Sequence, residues 1–245
     1  METQQYLDQL ARNSERLADA AAAAGVDTPV PSCPDWTVAD LLDHCVRGDG
    51  WARAVVEQAG AGSTERVLPT DAELPEGDAL VDAFRQGARE LVDVLAAVPS
   101  DTPAWTFAAS DRTVGFWQRR RANETSVHRY DAELAAGTPT PIDAALAVDG
   151  IDEILTVFLA RLAGNFDAMG DATVHLHCTD VDGEWLVTRT GGELSVSREH
   201  AKGDVAARGS ASDLLLFLWS RVPADRLEVF GDADLLTRFQ QALRV

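Results

Sequence analysis

The sequence predicts an α+β chain in two parts: an N-terminal four-helix up-down bundle and then a small α/β C-terminal domain. Three observations carry this. Four long stretches with apolar residues three and four apart fill the first half. The segment Gly137-Thr138-Pro139-Thr140-Pro141 then breaks the pattern. Beyond it come short strand-like runs separated by Asp182-Gly183 and Gly191-Gly192, dipeptides that suit tight hairpin turns. At 245 residues the chain is long enough for two domains that bury cores without disulfide or metal scaffolding. The expected boundaries are residues 1–137 for the bundle and 142–245 for the second domain.

The first helix is expected from about Glu2 to Ala24, with Leu7, Leu10, Ser14, Leu17 and Ala21 in step and Gly25 as its stop. The second starts at Thr37, where Asp40 three residues on makes a near capping box. It runs to about Ala59 through Leu41, Cys45, Val55 and Val56. The third runs from about Asp78 to Val98, with Leu80, Phe84, Leu91 and Leu95, and Pro99 closes it. The fourth runs from about Thr113 to Ala136 and ends at Gly137. The connections 60–77 and 99–112 are rich in Pro and Gly, and Trp105 and Phe107 in the second should fold back onto the bundle. After the linker a helix is expected from about Asp143 to Ala163. Strands follow at Thr173–Cys178, Trp185–Thr190 and Glu193–Ser197, with further strand-like runs at Asp204–Arg208 and Leu227–Phe230. Helices at Ser210–Arg221 and Ala233–Leu243 complete the domain.

Composition excludes several function classes. Forty acidic residues against 21 basic ones give a net charge of −19, which repels phosphate backbones and anionic membrane surfaces. Neither nucleic acid nor membrane is an expected partner. Lys202 is the sole lysine, a usage that suggests a GC-rich or salt-adapted bacterial source. Cys33, Cys45 and Cys178 are odd in number and far apart, so they form no disulfide framework, and no Cys-x-x-Cys is present. The N-terminus lacks the basic and apolar regions of a signal peptide, and no apolar run approaches a membrane span. A cytoplasmic monomer is the default expectation. No phosphate-cradling Gly-rich loop, nucleophile elbow or dinucleotide fingerprint occurs.

The informative pattern lies on the fourth helix. Trp117, Arg121, Glu124, His128, Asp131 and Ala135 follow at steps of 4, 3, 4, 3 and 4, which keeps them on one helical face. The stripe begins and ends on residues suited to the interior, yet its middle is ionisable. Burying such groups without partners costs several kcal/mol each, and a divalent cation is the simplest partner. Glu124 and His128 point at one volume, and their donor types suit Zn²⁺, Fe²⁺, Mn²⁺ or Ni²⁺. His44, the other histidine of the first half, shares a face of the second helix with Leu41, Cys45, Gly48, Trp51 and Val55. Two histidines and one glutamate leave a coordination position open, which is the pattern of a catalytic site. The competing readings are a solvated Glu–His pair and a satisfied core histidine at position 44. Arg121 reads as an anion clamp or as a buried stem reaching solvent. Asp131 reads as an acceptor for His128 or as a surface residue. Cys45 reads as packing, and Cys33 as a possible reactive thiol.

These residues also resemble a family. Cys33-Pro34-Asp35-Trp36-Thr37-Val38-Ala39-Asp40-Leu41-Leu42-Asp43-His44 is similar to the entry into the second helix of the mycothiol-dependent maleylpyruvate isomerase family, within the DinB-like superfamily of metal-binding bundles. Glu124-Thr125-Ser126-Val127-His128-Arg129-Tyr130-Asp131-Ala132 resembles its second motif. The resemblance spans the chain, and its second half resembles a module similar to sterol carrier proteins. It implies a divalent metal, zinc before others, on His44, Glu124 and His128, with mycothiol as cosubstrate and an actinobacterial source. A metal-bound thiol ionises readily at neutral pH. In the isomerase its thiolate would add to the conjugated double bond of maleylpyruvate, and rotation and elimination would give the trans isomer. In an S-transferase it would attack another electrophile and stay attached. Arg221, within Leu218-Trp219-Ser220-Arg221, corresponds loosely to a family arginine implicated in activity, and Arg121 is a second catalytic candidate. For Arg221 the competing reading is a helix C-terminal arginine favoured by the dipole. The alternative to an enzyme is a non-catalytic metal-binding bundle that binds a small molecule. His175-x-His177 shares one strand face and, with no third ligand nearby in sequence, reads as ordinary sheet surface, with Cys178 facing the core.

Overall fold

The protein is described from a computed structural model covering residues 1–70 and 73–244, so the middle of the 60–77 connection lies outside the described residues. The chain divides into two compact units, Met1–Thr140 and Pro141–Val245. The first holds four helices: α1 (Thr3–Ala24), α2 (Val38–Gly60), α3 (Asp78–Ala97) and α4 (Val114–Ala135). The start of α2 is fixed locally. Thr37 Oγ1 accepts from the Asp40 N–H at 3.3 Å, and an Asp40 carboxylate oxygen accepts from the Thr37 N–H at 2.8 Å. Gly25 ends α1 at φ 85°, a conformation open to glycine.

Leu10, Leu17, Leu41, Leu42, Phe84 and Leu91 are essentially fully buried. Each contributes about 1.5–3 kcal/mol by leaving water. Trp105 and Phe107 do fold back. The Trp105 ring lies 5.5 Å from Trp51, the Phe107 ring lies 4.9 Å from Phe116, and Trp117 Nε1 donates to the Trp105 carbonyl at 2.8 Å.

Helix α4 departs from the one-face expectation. Sixteen of its 22 residues are buried, so it runs through the bundle interior rather than along its edge. Its composition permits this because many of its polar groups are paired. Arg129 donates from Nη1 to Glu133 at 2.7 Å and to the Thr140 carbonyl at 2.7 Å. Its Nε reaches Asn13 at 3.2 Å, and Arg16 reaches the other oxygen of Glu133 at 2.5 Å. Gln118 donates to the Leu95 carbonyl at 2.9 Å. These bonds replace hydration that burial removed.

In the second unit α5 (Ala144–Glu153) is capped by Asp143, which accepts from the Ala145 and Leu146 N–H groups. It does not continue as one regular helix. A π-helical turn at Ile154–Phe158 leads into the short α6 (Leu159–Arg161) and a 3-10 stretch at Ala163–Met169. The wider turn keeps Ile154, Leu155 and Val157 all buried. Five strands follow: β1 (Ala172–Cys178), β2 (Glu184–Thr190), β3 (Glu193–Ser197), β4 (Val205–Gly209) and, after α7 (Ala211–Leu218), β5 (Glu228–Gly231); α8 (Ala233–Ala242) closes the unit. The sheet order is β3-β2-β1-β4-β5, antiparallel except for β1 beside β4. Val174, Leu176, Val187 and Val205 are fully buried on one face, where Trp185 donates to Asp152 of α5 at 2.7 Å. The alternation of β1 sends His175 and His177 to the other face. Among the described residues no helix is long and apolar enough to cross a membrane.

Candidate metal centre in the helical bundle

The structure brings the three predicted ligands together. Packing of α2 against α4 sets His44 beside Glu124 and His128, which lie one turn apart on α4. One donor atom of each lies within 4.8 Å of the other two. His44 Nε2 is 3.2 Å from Glu124 Oε1, and His128 Nε2 is 4.0 Å from the same oxygen. Tetrahedral ligands at Zn–N and Zn–O lengths of about 2.0–2.1 Å are about 3.3–3.5 Å apart. The measured spacings bracket that value, so the donor set fits a divalent cation in type and in separation.

The surroundings aim the donors. His128 Nδ1 is 2.9 Å from Asp131, a fully buried carboxylate that also accepts from Ser32 Oγ at 2.6 Å. A proton held on Nδ1 leaves the Nε2 lone pair facing Glu124. Burial pushes the His128 pKa down in spite of Asp131, which favours the neutral ring. Glu124 divides its two oxygens. Oε2 takes Arg121 and, at 3.3 Å, Arg120, while Oε1 faces the two imidazoles. Burial alone would raise this carboxyl, but the two arginines hold it well below the usual carboxylate range. Trp36, from the loop before α2, covers the histidines, with ring centroids 5.2 Å from His44 and 6.3 Å from His128. The His44 side chain is 42% exposed and that of His128 only 8%, so the centre opens to solvent on the His44 side.

Arg121 does not reach solvent. Its Nε and Nη2 donate to Asp49 at 3.0 and 2.7 Å, and its Nη1 donates to Glu124. A Cβ on Gly48 would come within 2.8 Å of Arg121 Nη1, so glycine there makes room for the guanidinium. Sequence reasoning missed Asp49, Arg120, Ser32 and the covering role of Trp36. For Asp49 the sole signal was Gly48 on the buried face of α2. Asp131 is the acceptor for His128 and not a surface residue. Cys45 is buried, and burial pushes its thiol well above the usual range, as packing requires. Cys33 approaches Asp131 with its sulfur at 4.0 Å. Arg221 lies in the second unit just after Ser220, whose φ of 61° is unusual for a non-glycine residue, and it donates to the Trp219 carbonyl at 2.8 Å. On the sheet, His175 and His177 lie beside Glu184 and His200, with one donor atom of each within 4.8 Å of the others.

Comparisons with known proteins bear on both units. A family model described as the mycothiol maleylpyruvate isomerase N-terminal domain matches residues 7–133, and one described as the MDMPI C-terminal domain matches residues 145–238. A crystal structure of the mycothiol-dependent maleylpyruvate isomerase aligns at a TM-score of 0.62 with 14% identity, covering 95% of each chain. A mutant of a mycothiol-dependent maleylpyruvate isomerase aligns at a TM-score of 0.63 with 13% identity and the same coverage. At that identity the likeness establishes the fold. No curated protein matches the sequence.

Proposed function

The chain belongs to the mycothiol maleylpyruvate isomerase family, and from that premise we propose that it is a metal- and thiol-dependent enzyme acting on a small electrophile. His44, Glu124 and His128 are the ligands, zinc the first choice of cation, and mycothiol the thiol. The reaction is cis–trans isomerisation of a conjugated substrate of the maleylpyruvate class, in a reducing cytoplasm. One observation supports this above the others. Glu124 turns one oxygen to two arginines and leaves the other facing two imidazole nitrogens at 3.2 and 4.0 Å.

A divalent cation there supplies a Lewis acid that lowers the pKa of a bound thiol into the neutral range. The protein's own groups do the rest. Asp131 holds the His128 Nδ1 proton and so fixes which nitrogen faces the centre. Arg120 and Arg121 keep Glu124 ionised. Trp36 shields the histidine rings, and the half-exposed His44 side is where a small thiol can enter. Arg121 is thereby a positioning residue. Arg221 is proposed, on the family resemblance, as a residue required for turnover.

The test is elemental analysis followed by incubation of the metal-loaded protein with mycothiol and maleylpyruvate. Expected are metal bound at this centre, mycothiol-dependent formation of the trans isomer, and loss of both in His128→Ala. Metal retained at this centre in that variant would overturn the ligand assignment. Loading without isomerisation or any thiol adduct across a panel of electrophiles would favour a non-catalytic binder.

A further inference from the structure

The chain has five histidines, and the first centre uses two of them. The other three, His175, His177 and His200, gather around Glu184 in the second unit, with one donor atom of each of the four within 4.8 Å of the rest. The sheet register builds the group. His177 lies directly opposite Glu184 in the β1–β2 pair, and His175 lies two residues back on the same face. The segment after β3 returns His200 to that face, where its Nδ1 is 2.8 Å from Glu184 Oε1. His177 Nδ1 contacts the same oxygen. The ring centroids are 5.5 Å apart for His175 and His200 and 6.2 Å apart for the other two pairs. Three imidazoles around one zinc at about 2.0–2.1 Å per bond would place their centroids about 5 Å apart, so a small contraction closes the group.

A second observation points the same way. His175 is 6% exposed, and its Nε2 is buried without a hydrogen-bond partner. An orphaned polar atom in a native interior calls for an explanation, and a bound ion is one. The neighbouring Arg208, opposite His177 on β4, pairs with Glu228 at 3.5 Å, so its charge is compensated.

We propose that His175, His177, Glu184 and His200 form a second transition-metal site, which takes Zn²⁺ through three imidazoles and one carboxylate. Four protein ligands close the coordination shell, which makes the site structural: it ties the segment after β3 to β1 and β2. It is independent of the bundle centre.

Untagged, metal-free full-length protein is titrated with Zn²⁺ against a chromogenic chelator, and with Co²⁺ by visible absorption. Two equivalents are expected. His200→Ala is the main variant, because that side chain is 80% exposed and its removal opens no cavity in the core; Glu184→Gln is the second. Each should weaken one equivalent by more than the 10–100-fold that loss of a mere supporting partner costs. The bundle equivalent, removed in His44→Ala, should be untouched. A single equivalent in the wild type that disappears in His44→Ala overturns the proposal. So do two equivalents with unchanged affinity in both His200→Ala and Glu184→Gln.

Discussion

Asp131→Asn isolates the charge behind His128 from the geometry that holds it. In the native bundle Asp131 accepts from His128 Nδ1 at 2.9 Å and from Ser32 Oγ at 2.6 Å. Asparagine has the same shape. Its oxygen can still take the Nδ1 proton, and its NH₂ can donate to the Ser32 hydroxyl, which accepts as readily as it donates. These hydrogen bonds survive, and the negative charge goes. The imidazole then loses the polarisation that makes Nε2 a better donor. Loss of such a supporting carboxylate typically weakens metal binding 10–100-fold, about 1.4–2.7 kcal/mol. The assay is Zn²⁺ competition with a chromogenic chelator, with thermal melting of the metal-free protein as the control for folding. Affinity at the bundle centre should fall by that factor while the metal-free melting temperature stays within a few degrees. The site in the sheet unit serves as an internal standard. Unchanged bundle affinity, or an equal loss at both sites, would refute the role given to Asp131.

Arg121→Met leaves Asp49 buried without its ion-pair partner and takes one of two guanidiniums from Glu124, and should cost about 3–5 kcal/mol in urea unfolding. Asp49→Leu on that background should recover part of the loss, and full additivity of the two changes would contradict the pairing. Gly48→Ala should lower metal affinity although alanine favours the helix by about 1 kcal/mol. The new Cβ lies 2.8 Å from an Arg121 nitrogen that its carboxylate partners hold in place, so the guanidinium must shift against Glu124. The pH dependence has a definite sign. Burial lowers the His128 pKa below its ordinary 6.5, so as the pH falls below 6.5 the unfolded chain takes up the proton before the folded one does. Metal-free protein should therefore lose stability as the pH drops from 6.5 toward the folded pKa, by up to about 1.4 kcal/mol per unit from this group. His128→Gln should flatten that slope, measured by urea unfolding across the range, and an unchanged slope contradicts the assignment. A separate loss from Glu124 should set in below 4.5, where the unfolded chain's carboxyl takes up a proton before the folded one does.

What could be read from the sequence was what is local in it. The α2 start is written in Thr37 and Asp40, three residues apart. The Glu124–His128 pair needs only the helical repeat, and the β2–β3 turn needs only Gly191-Gly192, both at positive φ. Asp49 and Arg121 are 72 residues apart, and no spacing rule joins them. The burial of α4 on nearly all sides ran against its polar composition, because the hydrogen-bond partners that permit it sit on α1, in the linker and at the end of α3. His200 is likewise tied to its neighbours by no spacing rule. A ligand search along the chain stops at the strand holding His175 and His177, whereas strand pairing brings Glu184 across and the segment after β3 brings His200 back.

A buried ion-pair network is the competing account of the bundle centre, and it leaves the approach of His128 to Glu124 unexplained. The network accounts for Oε2, which Arg120 and Arg121 occupy. At Oε1 it supplies one hydrogen bond, with His44 Nε2 at 3.2 Å, and nothing for His128. The neutral His128 ring, with its proton on Nδ1 toward Asp131, presents a lone pair to that oxygen at 4.0 Å, and two electron-rich atoms facing each other repel. The charges point the same way. Asp49, Glu124 and Asp131 outnumber Arg120 and Arg121 by one, leaving a net negative charge in a largely buried volume. A divalent cation reverses it to a single positive charge, and a bound thiolate brings the sum to zero. A centre balanced at zero in the presence of the thiolate, and at plus one without it, favours ionising the thiol over holding it protonated.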